Sequence, residues 1–436
     1  MNIVALTWPI FIEVLLRTAL NTSDVFMLSG YSDKAVSAVG VINPITFFFI
    51  IISMMVTTGT GILIGQYNGA SRSKEAVQVG IASVLLALVV GLLLGLISYF
   101  FAADIIRLYD LDADVAQYAY DYLIISGSLT IFITLGIVFS TIMRSYGHSK
   151  PPMYINLFCG VLNVMGNYCA LYQPFGLPVY GVQGVAIATV TSQAIGALIL
   201  WGGMIKYRIA PPLSKIMSVP TIIYKKILKI GVMNASEILS YNLSQMAIVY
   251  LVVKMGTASL TAFTYAQNIS RLSFAFALAL GQASQIQTSY FIGKGLADEI
   301  LNKVKRYFVA GFIISTTVTL ILFIWRFEIS GLFTEDPEVI LFTAGLITAS
   351  IFVESGRVFN LIFISALKGA GDIKFPVQIG ILSMWGIAFG FSYLLGIYFA
   401  LGVIGVWIAM GLDEWVRGLI MMRRWGKQGW VKFSLI

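Results

Sequence analysis

Apolar residues run along this 436-residue chain in long unbroken stretches, separated by short polar punctuation, rather than at the i, i+3, i+4 spacing of a surface helix. A membrane-crossing helix needs roughly 20 mostly apolar residues. Twelve stretches meet that need, at 5–29, 36–64, 78–101, 119–142, 152–172, 181–203, 228–252, 259–290, 307–326, 339–366, 375–398 and 401–421. Several exceed the length of a perpendicular span, which predicts tilt or a helix continuing beyond the lipid. The weakest divider is the Gly-containing turn between 375–398 and 401–421. The opening MNIVALTWP lacks a basic segment, and Glu13 and Arg17 interrupt any apolar leader core, so the first stretch is expected to stay as a helix.

Composition supports the membrane reading. Hydrophobic residues make up 58% of the chain and charged residues 11%, against about 25% charged in soluble domains. The mean hydropathy is +0.88. The formal net charge of +8 would suggest nucleic acid in a soluble chain, but here its placement sets topology. With the N-terminus inside, twenty basic residues fall in inner loops and tail and four in outer loops, where the acids cluster at 104–114 and 328–338. Both termini are therefore expected in the cytoplasm of a multi-pass plasma-membrane protein with a lipid-bilayer environment and no nucleic-acid partner. Four arginines, Arg17, Arg271, Arg357 and Arg417, lie inside the stretches. Two cysteines and one histidine leave no disulfide framework or His/Cys metal cluster, and no P-loop, HExxH or nucleophile elbow marks an enzyme. A secondary transporter without cofactors is expected.

The second half repeats the first at an offset of 224 residues. Glu13 meets Glu237, Gly69 meets Gly293, Arg144 meets Lys368, Gly147 meets Gly371, Lys150 meets Lys374 and Pro152 meets Pro376; after a three-residue slip, 181–188 meets 402–409. An ordered series at one spacing that includes charges and prolines points to duplication. The expected organisation is a six-helix bundle over 1–205, a cytoplasmic linker over 206–227, a second bundle over 228–421 and a tail over 422–436, with substrate passing between the halves.

Polar residues inside spans are expensive and mark functional candidates. Asp24 has no basic residue at i±3 or i±4, which favours a titrating or cation-binding role. Glu13 with Arg17 and Asp413 with Arg417 are i, i+4 pairs and read as structural charge pairs. Glu237 stands in the polar stretch GVMNASEILSYNLSQ, either a wet wall or interhelical glue. Glu354 and Arg357, at i, i+3, read equally as a structural pair or as transport residues, and Arg271 could clamp or line a cavity.

The order of ALTWPIFIEVLL, DVFML with AVSAVGV, GILIGQYNGA, RSYGHSKPP, LNVMGN with GVQGVAIATVTSQ, ALKGAGDIKFP and GVIGVWIA resembles the multidrug and toxic compound extrusion (MATE) family over essentially the whole chain. The resemblance implies an all-α membrane protein of twelve helices in two pseudo-symmetric six-helix bundles arranged in a V. It implies export of amphipathic, mainly cationic organic compounds or drugs in exchange for H⁺ or Na⁺ by alternating access. A monomer is expected. On this reading Asp24 matches the family's first-helix carboxylate, and Asn163 and Asn167 match a fifth-helix Asn and Asp, the second having lost its charge. With Thr189 these form the expected coupling site, with Na⁺ bound at Asp24, Asn163 and Asn167 where Na⁺ is the ion. In the second half, Tyr241 and Arg357 stand where a related branch has acids, with Glu237 and Glu354 one turn earlier, so a second-half cavity of Glu237, Tyr241, Glu354, Arg357 and Arg271 is the further candidate. The alternative is a flippase for lipids or lipid-linked precursors, whose diphosphate headgroups would need the embedded arginines.

Overall fold

The computed structural model describes residues 2–172, 176 and 178–436, without the side chains of residues 17, 18 and 21–25. Among the described residues the chain is helical throughout. Its helices are α1 (Ile3–Ser29), α2 (Asp33–Gly69), α3 (Ser73–Arg107), α4 (Ala113–Ser128), α5 (Ile131–Ser145), α6 (Lys150–Leu171), α7 (Gly181–Lys206), α8 (Thr221–Val253), α9 (Thr257–Gly293), α10 (Ala297–Ile324), α11 (Arg326–Gly331), α12 (Pro337–Gly369), α13 (Lys374–Ser383) and α14 (Gly402–Gly426). Each expected stretch falls on one of these or on a consecutive pair. Seven are individually long and apolar enough to cross a membrane, and α4 with α5, bent by 45°, adds an eighth. The chain is thus an all-α, multi-pass membrane protein. Its outer faces agree: Leu92 and Phe100 on α3 are 54% and 67% exposed, apolar surface that water would not tolerate in such quantity.

The stretch expected at 119–142 is broken rather than straight. Leu129 and Thr130 interrupt it, and the Thr130 hydroxyl donates to the Gly127 carbonyl at 2.5 Å, satisfying one of the carbonyls freed at the break. The stretch expected at 375–398 begins as α13 and continues in wider-wound π turns at Met384–Phe389 and Ser392–Tyr398. Such winding leaves carbonyls for other donors. The Ser244 hydroxyl on α8 donates to the Met384 carbonyl at 3.1 Å, and the Trp385 indole donates to the Ser240 hydroxyl at 3.0 Å. This part of the polar α8 stretch therefore acts as interhelical glue.

The chain divides into two compact units. The first-half unit comprises 12–68 and 72–235; the second-half unit comprises 1–11, 69–71 and 236–436. The division falls inside α8, because its first turns pack into the first-half unit. There a Cβ on Gly231 would stand 1.8 Å from the Met55 carbonyl oxygen, and the Asn234 amide donates to the Thr58 hydroxyl at 3.1 Å. The core of the first-half unit includes Ala38, Ile42, Ala102, Ala119 and Leu123. The second-half unit is built around α12, which packs against α9, α10 and α14.

The repeat extends to backbone hydrogen bonds. α5 ends with Gly147 at φ +90°, its N–H donating to the Arg144 carbonyl at 2.8 Å while His148 N–H donates to Met143 at 2.9 Å. α12 ends with Gly371 at φ +97°, its N–H donating to Lys368 at 3.0 Å while Asp372 N–H donates to Leu367 at 3.0 Å. Both are Schellman stops, which need the left-handed conformation that glycine adopts without steric cost.

Small residues bring α12 and α14 together. A Cβ on Gly418 would lie 2.5 Å from Phe359 Cβ, and one on Gly356 would lie 2.6 Å from the Trp415 ring. Gly418→Val is expected to cost about 3 kcal/mol, since the backbone approach leaves no room for branched carbon. A lowered melting temperature of the detergent-solubilised protein checks this; an unchanged one would mean that α12 and α14 can part freely.

Candidate functional site

In the first-half unit, α6 and α7 present a chain of neutral oxygen and amide groups. The Asn167 amide donates to Asn163 Oδ1 at 3.4 Å, the Asn163 amide donates to the Thr189 hydroxyl at 3.1 Å, and that hydroxyl donates to the Val185 carbonyl at 2.9 Å. The i, i+4 spacing puts both asparagines on one face of α6, and both are buried. Carboxamide and hydroxyl oxygens are hard donors, fit for a proton-bearing water or an alkali cation. Asp24 and Arg17 lie on α1, but their side chains fall outside the described residues.

Thr189 also borders a cavity of about 40 Å³ lined by Phe49, Tyr122, Ser126, Thr130, Ile133 and Gln193, among others. At ~10–15 Å³ per water this holds about three or four molecules. Thr46 and Ser126 add to its polar lining, so the carboxamide chain borders a pocket suited to water. Among the described residues no group of three or more His, Cys, Asp or Glu side chains could hold a metal ion.

The second-half unit holds a network of five charges. Arg357 Nη1 donates to Glu354 at 2.8 Å and its Nε to Glu414 at 3.3 Å, while its guanidinium lies 4.6 Å from the Phe274 ring centroid. Arg417 reaches Asp413 at 2.6 Å and Glu414 at 3.3 Å. Asn360 donates to Glu414 Oε2 at 2.7 Å, and the Ser383 hydroxyl donates to Asp413. The local cause is the Gly356–Gly418 approach, which sets the i, i+3 pair of α12 opposite the paired charges of α14. Three carboxylates face two guanidinium groups, and the fully buried Glu354 Oε2 has no hydrogen-bond partner among the described residues.

The structure therefore joins Asn163, Asn167 and Thr189 in one group, and Glu354, Arg357, Asp413 and Arg417 in another. Tyr241 on α8 lies within electrostatic range of Arg357 and Glu414. Glu237 pairs with Lys368 at 2.6 Å and lies within electrostatic range of Arg417, so it and Glu354 each have a basic partner of their own. Arg271 is exposed on α9 and makes no ion pair among the described residues. Glu13 engages Arg144 and Asn156 across helices, while its expected i, i+4 partner Arg17 has a side chain outside the described residues. Glu414, beside Asp413 in the last span, bridges both arginines; its bond to Arg417 is at i, i+3, but its bond to Arg357 joins two helices and has no local signal. The partners Arg144, Lys368 and Asn156 lay too far along the chain for any local pattern, although the repeat already matched Arg144 with Lys368.

Comparison with known proteins places this architecture. A transporter of Bacillus subtilis, YisQ, whose activity is uncharacterised, is 37% identical over 99% of this chain and 95% of its own length. The probable multidrug resistance protein NorM of Thermotoga maritima is 24% identical over 100% of this chain and 94% of its own. Among solved structures, an outward-facing multidrug resistance MATE transporter of the MOP superfamily superposes with a TM-score of 0.90 at 21% identity, covering 98% of this chain and 95% of that one. A MOP superfamily transporter from Pyrococcus furiosus superposes with a TM-score of 0.89 at 20% identity, covering 98% and 95%. The MatE family profile matches twice, over residues 9–169 and 235–394, one match in each repeat. With both halves matched by one family profile, the chain belongs to the MatE family and is a secondary active transporter rather than an enzyme.

Proposed function

We propose that this transporter is an H⁺- or Na⁺-coupled antiporter that exports amphipathic, mainly cationic organic compounds across the plasma membrane by alternating access. It crosses the membrane twelve times, six spans per half, with both termini cytoplasmic, and works as a monomer. Coupling resides in the first half, where Asp24 supplies the titrating carboxylate and Asn163, Asn167 and Thr189 supply neutral oxygens.

The observation that carries this reading is the hydrogen-bonded chain of Asn167, Asn163 and Thr189 beside a water-sized cavity. Intramembrane carboxamides in such a chain cost solvation unless a polar guest or protein partner repays it. Binding of H⁺ or Na⁺ from outside favours release of the exported compound, and exchange follows if the two guests disfavour each other.

A flippase for lipid-linked diphosphates needs basic residues free to meet its headgroups. Of the embedded arginines with described side chains, Arg357 and Arg417 are already neutralised by Glu354, Asp413 and Glu414, and the single exposed Arg271 is too little for a diphosphate, which favours the antiporter reading. The test is purified protein in liposomes carrying either a pH or a Na⁺ gradient. One of the two gradients is expected to drive uptake of a fluorescent organic cation. Movement of lipid-linked diphosphate without cation transport would transfer the assignment to the flippase class.

A further inference from the structure

The two repeats carry the same buried ion pair at matching places. In the first-half unit the Arg144 guanidinium donates to Glu13 Oε2, and the Asn156 amide donates to Oε1 at 2.9 Å. In the second-half unit Lys368 Nζ donates to Glu237 Oε2 at 2.6 Å. The partners are 131 residues apart in both. Each basic residue sits in the last turn of its helix, three residues before the left-handed glycine of the Schellman stop. The helix carbonyl ends there favour a cation.

Side-chain exposures are 17% and 14% for Arg144 and Glu13, and 11% and 9% for Lys368 and Glu237. Ion pairs so deeply placed are poor choices for stability alone, because apolar residues of similar volume hold helices together as well or better. Both halves nevertheless keep one while neighbouring positions have diverged. We propose that Glu13–Arg144 and Glu237–Lys368 are twin clamps, positioning residues that fix the first helix of each half (α1 and α8) to the end of the fourth span of that half. Turnover requires each clamp to remain a matched pair of charges.

The clamps are unequal. The repeat places Gly380 where the first half has Asn156, and a Cβ built on Gly380 would stand 3.4 Å from Glu237 Oε1. Asn156 thus gives the carboxylate of the first clamp a second donor from a position that is glycine in the second half. Only the turnover readout of this proposal rests on the transport reading.

The experiment compares Glu13→Gln, Glu237→Gln and the charge swap E237K/K368E. Hydrogen–deuterium exchange is followed in α1 and α8, and gradient-driven dye transport is measured in liposomes. Glu237→Gln is expected to speed exchange over 225–245 and leave α1 unchanged, with Glu13→Gln doing the reverse. Turnover should fall about tenfold with little change in KM, the mark of an interaction needed for the cycle rather than for binding. The swap should recover a large part of both readouts, short of wild type because a carboxylate at 368 meets the helix carbonyl end, whereas a purely steric role for the carboxylate would recover neither. Unchanged exchange and turnover in both neutralised variants would overturn the clamp. So would a swap that restores exchange and remains inactive. If the unmodified protein moves no dye, the transport reading fails, while the exchange data still decide whether the clamps hold α1 and α8. Should Glu237→Gln not accumulate, Lys368→Met removes the same bond and is read in the same way.

Discussion

Asp24→Asn is expected to reduce gradient-driven export by about a hundredfold, the upper end of ordinary coupling between two ligands. The reason lies in what surrounds the proposed site. Asn163, Asn167 and Thr189 bring oxygens but no charge, so nothing else in that group changes its charge when a proton arrives. Asparagine keeps the size and much of the hydrogen bonding of aspartate and removes the titration. Energy-independent exchange of labelled for unlabelled dye should survive, because it needs substrate binding and alternation but not a net gradient. Paired counterflow and gradient-driven assays on the same vesicles check both statements. Wild-type gradient-driven export in Asp24→Asn would move coupling out of the first half and make the Glu354 network the next place to examine.

Arg417→Met is expected to be the most damaging substitution to the fold, costing about 3–5 kcal/mol, the range for breaking a buried charge pair by removing one partner. It would leave Asp413, Glu414 and Glu354 facing Arg357 alone, with Arg417 and Glu354 fully enclosed in the present packing. Neutralising an acid with it should recover much of the loss. Arg417→Met with Asp413→Leu removes one positive and one negative group and leaves Glu414 with Arg357 and Asn360. A melting series on solubilised protein should therefore rank wild type above the double variant and the double above the single. Equal melting of the single variant and wild type would show that the network is held by something other than its charges.

The helical stretches could be read from the chain because apolar runs are local, and membrane solvation forces their backbone into helices whatever the side chains do next. Breaks within them were harder. Nothing in 119–142 marks Thr130 as the point of a 45° bend, since the carbonyl it satisfies is visible only after the turn is formed. The π turns after Ser383 are likewise supported from α8. Pairing followed the same rule. Glu354–Arg357 and Asp413–Arg417 are within one turn and are legible locally, whereas the contacts of Glu13 with Arg144 and Asn156 join residues 131 and 143 positions apart. The repeat held the missing information. It aligned Glu13 with Glu237 and Arg144 with Lys368 before any contact between them was known.

The five-charge network of the second half also has an electrical consequence. In fully ionised form it sums to one negative charge, fastened by its own bonds into a single block. Any step that carries that block through part of the transmembrane field does work against it, up to about 2.3 kcal/mol per 100 mV for one charge crossing the whole field. Even an exchange that is electrically silent over a full cycle would then have voltage-sensitive half-steps. The resting potential of the cell would bias which side the carrier faces before any substrate or coupling ion is bound.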